Sequence, residues 1–299
     1  MNTDYNNQQP QIANLDLRSI CEEFSDGTKK WYRNNRLHRE DGPAIEWISG
    51  SKVWYINGKC HREDGPAIEQ ADGTKQWWVN GKLHREGGPA IERADGTKEW
   101  YIDGKLHRKD GPANEYYGVN WIDPFRGDVR VSKLNRTKAW YINGKLNRED
   151  GPAIEEANGA KKWYIDDKLH REDGPAIEDR DGTKKWYIHG NLQRIEEADG
   201  TKKWYIHGNL QRIEWPSGTK KWYKNDELHR EDGPAIEEAN GNKEWWVNGK
   251  RHRIDGPALE HADGINEWYK NDLRHREHGP AIERTIGIIP YRLYYLRRR

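Results

Sequence analysis

The sequence predicts an all-β protein: an elongated repeat array of about eleven β-hairpin units, forming a single twisted antiparallel ribbon or a β-solenoid. Three observations carry this. First, one short pattern, seen as GTKEWYIDGKLHRKDGPANE from Gly96 to Glu115, recurs along most of the chain. Second, its register is set by Trp31, Trp54, Trp77, Trp100, Trp140, Trp163, Trp186, Trp204, Trp222, Trp245 and Trp268, at steps of 23, 23, 23, 40, 23, 23, 18, 18, 23 and 23 residues. A fixed period of this size marks an array in which each unit buries its apolar surface only by stacking on the next. Third, every copy joins an aromatic and β-branched run to a turn pair such as Asn57-Gly58 or Asp103-Gly104. Such pairs tolerate positive φ and are the strongest short-range hairpin signal.

Composition narrows the classes. Hydrophobic residues make up 33% and charged residues 34%, a balance close to that of disordered chains, yet 16 Trp and 15 Tyr supply large buried rings. Lys plus Arg number 51 and Asp plus Glu 50, so no global field draws the chain to nucleic acid, and any anionic membrane contact must be local. The two cysteines, Cys21 and Cys60, are too few for a disulfide framework and fit a reducing setting. No leader-like segment or long apolar run is present; the expectation is an intracellular (host cytoplasm) or virion protein, not secreted and without a transmembrane segment.

Taken in order, residues 1–19 form a flexible polar arm, and 20–115 hold repeats 1–4 with an N-terminal cap. The insertion at 116–137 breaks the rhythm, 138–283 hold repeats 5–11, and 284–299 form a C-terminal cap and basic tail. Within a unit, TKxWYI is the first strand. LHR and the later AIE form the second, which runs to a turn such as Asp72-Gly73. Relative to the pattern LHREDGPAIE, copies seven and eight read LQRIE and lack only EDGPA, which is therefore expected to project as a corner outside the ladder. Period-2 alternation then places Trp, the following Ile and His on one face, with Tyr, Leu and Arg on the other. At the end of the array, Ile286, Ile288 and Ile289 are expected to cap the last repeat, with Pro290 discouraging further strand addition.

The recurring polar residues read as structure. Arg follows the His position and Glu closes the unit in all eleven copies, from Arg39 and Glu46 to Arg276 and Glu283, predicting an ion-pair ladder beside the Trp ladder. Histidine fills its position in eight copies and amides in three, which points to hydrogen bonding, not zinc, whose ligands must converge on one ion. The corner Asp is replaced by Gly87 and His278 in two copies, which favours a turn over a calcium loop. Catalysis needs an asymmetric convergence of groups, and identical repeats spread theirs evenly, so no catalytic, metal or cofactor residue is expected. The residues most suited to contact a partner are Trp121, Phe125 and Arg126 in the insertion and Arg297, Arg298 and Arg299 in the tail.

The 23-residue period, the W-Y-x-N-G-K-x-H segment and the closing D-G resemble a divergent MORN repeat. The HREDGPAIE form more closely resembles repeat proteins of giant DNA viruses of amoebae and of some phages. The chain departs from the usual repeat in carrying His-Arg-x-Asp-Gly-Pro-Ala in place of His-Gly-x-Gly. The resemblance implies a β-hairpin scaffold that docks other proteins, a capsid or further copies of itself. Phosphoinositide or membrane association is the alternative it implies, and it carries over no catalytic residue.

Overall fold

Runs of Lys, Trp, Tyr and Ile cannot close a core in so short a unit, and the computed structural model shows how neighbouring units supply it. The structure describes residues 19–117, 136–286 and 289–291. The chain divides into two compact units, Met1–Val119 with Ile142–Gly144 and Asn120–Tyr141 with Lys145–Arg299. Each is a run of antiparallel strands, and no helix occurs among the described residues. Among the described residues no helix is long and apolar enough to cross a membrane.

In the first unit, Ile20–Glu23 pairs with Lys29–Arg33 and opens the run. Beyond it, every repeat contributes two short ladders. In one, the closing Ile-Glu pairs with the Lys-x of its own repeat and with that of the next: Glu69 faces Lys52 on one side and Lys75 on the other. In the other, the Tyr-Ile and Lys-Leu steps flank the hairpin tip, as with Tyr55 opposite Cys60 and Ile56 opposite Lys59. The second unit repeats this in its full copies from Arg136–Ala139 onward and ends with Ile282–Ile286 paired to Ile289–Tyr291, so Pro290 sits within the last strand.

The tips are built on left-handed backbone. Asn57 and Gly58 have φ of 51° and 78°, the type I′ geometry whose twist matches the strands it joins. At the opposite turn, Gly73 (φ 92°) lies inside an Asx turn in which the Thr74 N–H donates to Asp72 Oδ1 at 2.8 Å.

Successive tips are stitched together. The N–H of Gly58 donates to Leu37 O at 2.8 Å, and that of Arg39 donates to Tyr55 O at 3.1 Å. The core is therefore a thin line between repeats. In one cluster Ile45, Val53, Cys60 and Ala67 are buried, with Trp54, Tyr55 and Trp78 packed against them. Burial pushes the Cys60 thiol up to about 12.

The second strand of the full repeat is not continuous. The chain leaves the ladder after Lys-Leu and returns at Ile-Glu, and the intervening corner closes on the tryptophan. The Trp54 N–H donates to Ala67 O at 2.8 Å, and the His61 N–H donates to Trp54 O at 3.1 Å. In the short copies the corner is missing, and the strands run unbroken as Asn191–Glu196 and Asn209–Glu214.

Candidate functional site

The recurring corner is the most constructed polar feature of the molecule, and it is built around one arginine. In the sixth repeat, Arg171 Nε donates to Asp173 Oδ1 at 3.0 Å. Its Nη1 donates to Pro175 O at 3.2 Å and to Glu178 Oε1 at 3.1 Å. The guanidinium carbon lies 4.1 Å from the centroid of the Trp163 ring. One face of the cation thus rests on an aromatic ring, and its Nε and Nη1 are engaged in hydrogen bonds.

The glycine of Asp-Gly-Pro-Ala covers the cation. A Cβ on Gly174 would stand 2.8 Å from Arg171 Cζ, and one on Gly65 would stand 3.0 Å from Arg62 Cζ. No side chain fits between corner and guanidinium. The next alanine, Ala67 or Ala176, is fully buried. This role of Gly and Ala was not read from the sequence; the available signal was that both disappear with the corner in the two short copies.

The same set recurs. Arg39 meets Glu46 at 3.0 Å, Arg108 meets Glu115 at 3.2 Å, Arg253 meets Glu260 at 2.8 Å and Arg276 meets Glu283 at 2.8 Å. The Trp–Arg stack recurs at 4.0 Å for Trp31, 3.7 Å for Trp77, 4.1 Å for Trp100 and 4.0 Å for Trp140. It is also found at 4.1 Å for Trp222, 3.9 Å for Trp245 and 3.7 Å for Trp268. Asp41, Asp64, Asp150, Asp173 and Asp232 are held below the usual carboxylate range, first by the arginine hydrogen bond and then by its charge.

These contacts correct the face assignment. Strict alternation separates Arg from Trp, whereas the structure stacks them. The short copies show why: Trp186 lies opposite Arg194 but Tyr187 lies opposite Leu192, so a bulge at Trp186/Tyr187 makes Gln193 the extra residue and shifts the faces.

Histidine works between repeats. The Asn57 N–H donates to His38 Nδ1 at 3.0 Å, and the Asn80 N–H donates to His61 Nδ1 at 3.1 Å. An accepting Nδ1 puts the ring proton on Nε2, which in His38 faces Glu40 Oε1 at 3.2 Å. In the short copies the replacing amide turns to its own strand, with Gln193 Nε2 donating to Asn191 O at 3.2 Å. A second stitch, also missed, runs through the Thr of GTK. The N–H of Ala94 donates to Thr74 Oγ1 at 3.3 Å, twenty residues away.

Among the described residues no group of three or more His, Cys, Asp or Glu is placed to hold a metal ion. Between the corners of the last two repeats lies a cleft of about 520 Å³, lined by Ile254, Pro257, Lys270 and His278 among others. Trp121, Phe125, Arg126, Arg297, Arg298 and Arg299 lie outside the described residues. The chain matches no known family and no curated protein in sequence comparison.

Proposed function

We propose that this chain is a non-enzymatic scaffold, a MORN-like array of β-hairpins that presents its corners to protein partners. The observation that carries this reading is the repetition of contacts. His, Arg, Asp and Glu, the groups that could do chemistry, make the same structural hydrogen bonds in one repeat after another. The outer carboxylates are exposed to contact: Glu63 and Glu172 are about 85% exposed, at the head of their corners and each beside the histidine of its own repeat. The resemblance of the repeats to those of giant DNA viruses makes the infected cell and the virion the first places to seek the partner.

The charge pattern of the ladder favours a protein over an anionic membrane. Glu46, Lys52, Glu69, Lys75, Glu92 and Lys98 face one another in turn across successive strands, which breaks any long stretch of positive sign. The test is recovery of the tagged protein from its native cell or particle, with flotation on anionic vesicles in parallel. A stoichiometric protein partner, lost from the Glu63→Lys, Glu172→Lys double variant, is the expected result. Flotation that weakens steeply with salt, without any protein partner, would establish the membrane reading instead.

A further inference from the structure

The row of corners changes character at its end. Nine repeats carry a corner, and in seven of them an aspartate takes Nε of the repeat's arginine. The eleventh repeat has His278 in that place. Arg276 Nη1 still donates to Pro280 O at 3.2 Å and to Glu283 Oε2 at 2.8 Å, but its Nε has no partner among the described residues. Unlike the Nε of Arg194, this one is not closed off from solvent. The corner also stands further away. Gly279 alone of the corner glycines has a positive φ, 106°, and a Cβ on it would lie 3.4 Å from Arg276 Cζ, against 2.8 Å for Gly174 and Arg171.

Two further departures fall in the same place. The cleft of about 520 Å³ between the last two corners is lined by Ile254 and Lys270 as well as by Arg276 and His278. Ile254 stands where seven corners carry glutamate, and Lys270 where eight of the eleven repeats carry Ile or Val. All three changes remove negative charge or add positive. The matching positions of the fifth and sixth repeats hold two arginines against four carboxylates, Glu149, Asp150, Glu172 and Asp173. Here three cations face two carboxylates, Asp255 and Glu277. Asp255 is already held by Arg253 at 3.3 Å. Lys270 and Glu277 form no ion pair among the described residues, although the same pair in the ninth repeat, Lys224 and Glu231, meets at 3.0 Å. The third repeat, which also lacks the aspartate at Gly87, keeps its corner Glu86 and has Val79 in the place of Lys270.

We propose that this cleft binds an acidic segment of a partner protein, with a carboxylate at Nε of Arg276 and an apolar side chain against Ile254. The seven complete corners display the ligand: in each, a carboxylate oxygen meets the equivalent Nε at between 2.9 and 3.3 Å. Such a bond is charge-assisted, and Lys270 adds a second cation for the same ligand. The rings of His275 and His278 line the cleft and make no side-chain hydrogen bond among the described residues, so they can serve the second carboxylate oxygen. Ile254 is 90% exposed and gains by being covered. The proposal rests on the scaffold reading and gives one partner its chemistry.

The experiment uses the full chain and a fluorescein-labelled peptide, Ser-Glu-Glu-Leu-Glu-Ser, with anisotropy read against protein concentration. Saturable binding is expected, weakened roughly tenfold or more when the glutamates are replaced by glutamines, as the loss of charge-assisted hydrogen bonds requires. A second protein carries Ile254→Glu, Lys270→Ile and His278→Asp. Each new residue stands at the same place in the sixth repeat, as Glu172, Ile165 and Asp173, so the fold is kept. This protein is expected to lose the binding. Failure of the peptide to bind the natural chain, or equal binding to the triple variant, overturns the assignment. Displacement of the peptide by inorganic phosphate at constant ionic strength would give the cleft to phosphoryl groups, and dimerisation that only the natural chain shows in light scattering would give it to a second copy; either overturns it too. If partner recovery from the native source survives any of these results, the scaffold reading stands and only the cleft is reassigned.

Discussion

At the scale of the residue, the arginine of each repeat is held by contacts that differ in how much they tolerate. The stack on tryptophan and the bond to a highly exposed aspartate are individually modest. The fit of glycine against the guanidinium is less forgiving, because Arg62 is already fixed by Trp54, Asp64, Pro66 and Glu69 and cannot swing away without losing them. Gly65→Ala is therefore expected to destabilise by about 1–2 kcal/mol, the usual cost of overpacking a fitted site. Gly87 provides the control within the same fold, since a Cβ there meets nothing within 4 Å. Gly87→Ala is expected to be neutral or slightly stabilising, by less than about 1 kcal/mol. Urea midpoints of the two variants decide it, and equal midpoints would show that the corner does not press on the arginine.

At the scale of the element, the corner is an addition to a ladder that is complete without it. Removing Glu172–Ala176 turns the sixth repeat into a third short copy, with Arg171 followed directly by Ile177, as Arg194 is followed by Ile195. That variant should fold with its strands intact, losing no more than about 2 kcal/mol with the buried alanine. Removing only Glu172–Pro175 leaves one residue too many in the strand, and a slip of one residue sends every side chain to the wrong face. Amide exchange across Ile177–Glu178 should stay slow in the first variant and become fast in the second. This separation of ladder from corner was legible in the sequence because the two short copies are a natural deletion experiment. The hairpin tips were legible too, since Asn-Gly announces its positive φ. The face of the arginine was not, because a bulge at Trp186/Tyr187 breaks the alternation on which that reading depended. The glycine contact was equally hidden: it joins residues three apart around a corner whose path only the folded chain defines. The insertion and tail residues singled out for docking, from Trp121 to Arg299, lie outside the described residues. The missing corner at Arg194 and Arg212 was visible as a deletion, but the buried, unpartnered Nε of each required the structure.

At the scale of the whole molecule, stability should be local, because within each unit the described repeats pair with their neighbours along the chain. The Trp222 strand, Lys220–Lys224, illustrates this: it pairs with Asn209–Glu214 behind and with Ile236–Glu237 ahead. Quasi-one-dimensional arrays of this kind fray from a cut end and hold elsewhere. A chain ending at Gly241, in the turn after a complete repeat, should therefore keep slow amide exchange in Lys202–Ile206 and Lys184–Ile188. A chain ending at Arg230, inside a repeat, removes Ile236–Glu237, the Ala235 carbonyl that receives the Trp222 N–H, and the corner over Arg230. Its loss of protection should reach back through Lys220–Lys224 and Asn209–Glu214 and stop before Lys184–Ile188. Hydrogen exchange read by mass spectrometry separates the two cases at the level of single strands. Loss of protection throughout Arg136–Arg230 after the second cut would mean that the repeats fold as one cooperative core, and the neighbour-by-neighbour account of this array would be wrong.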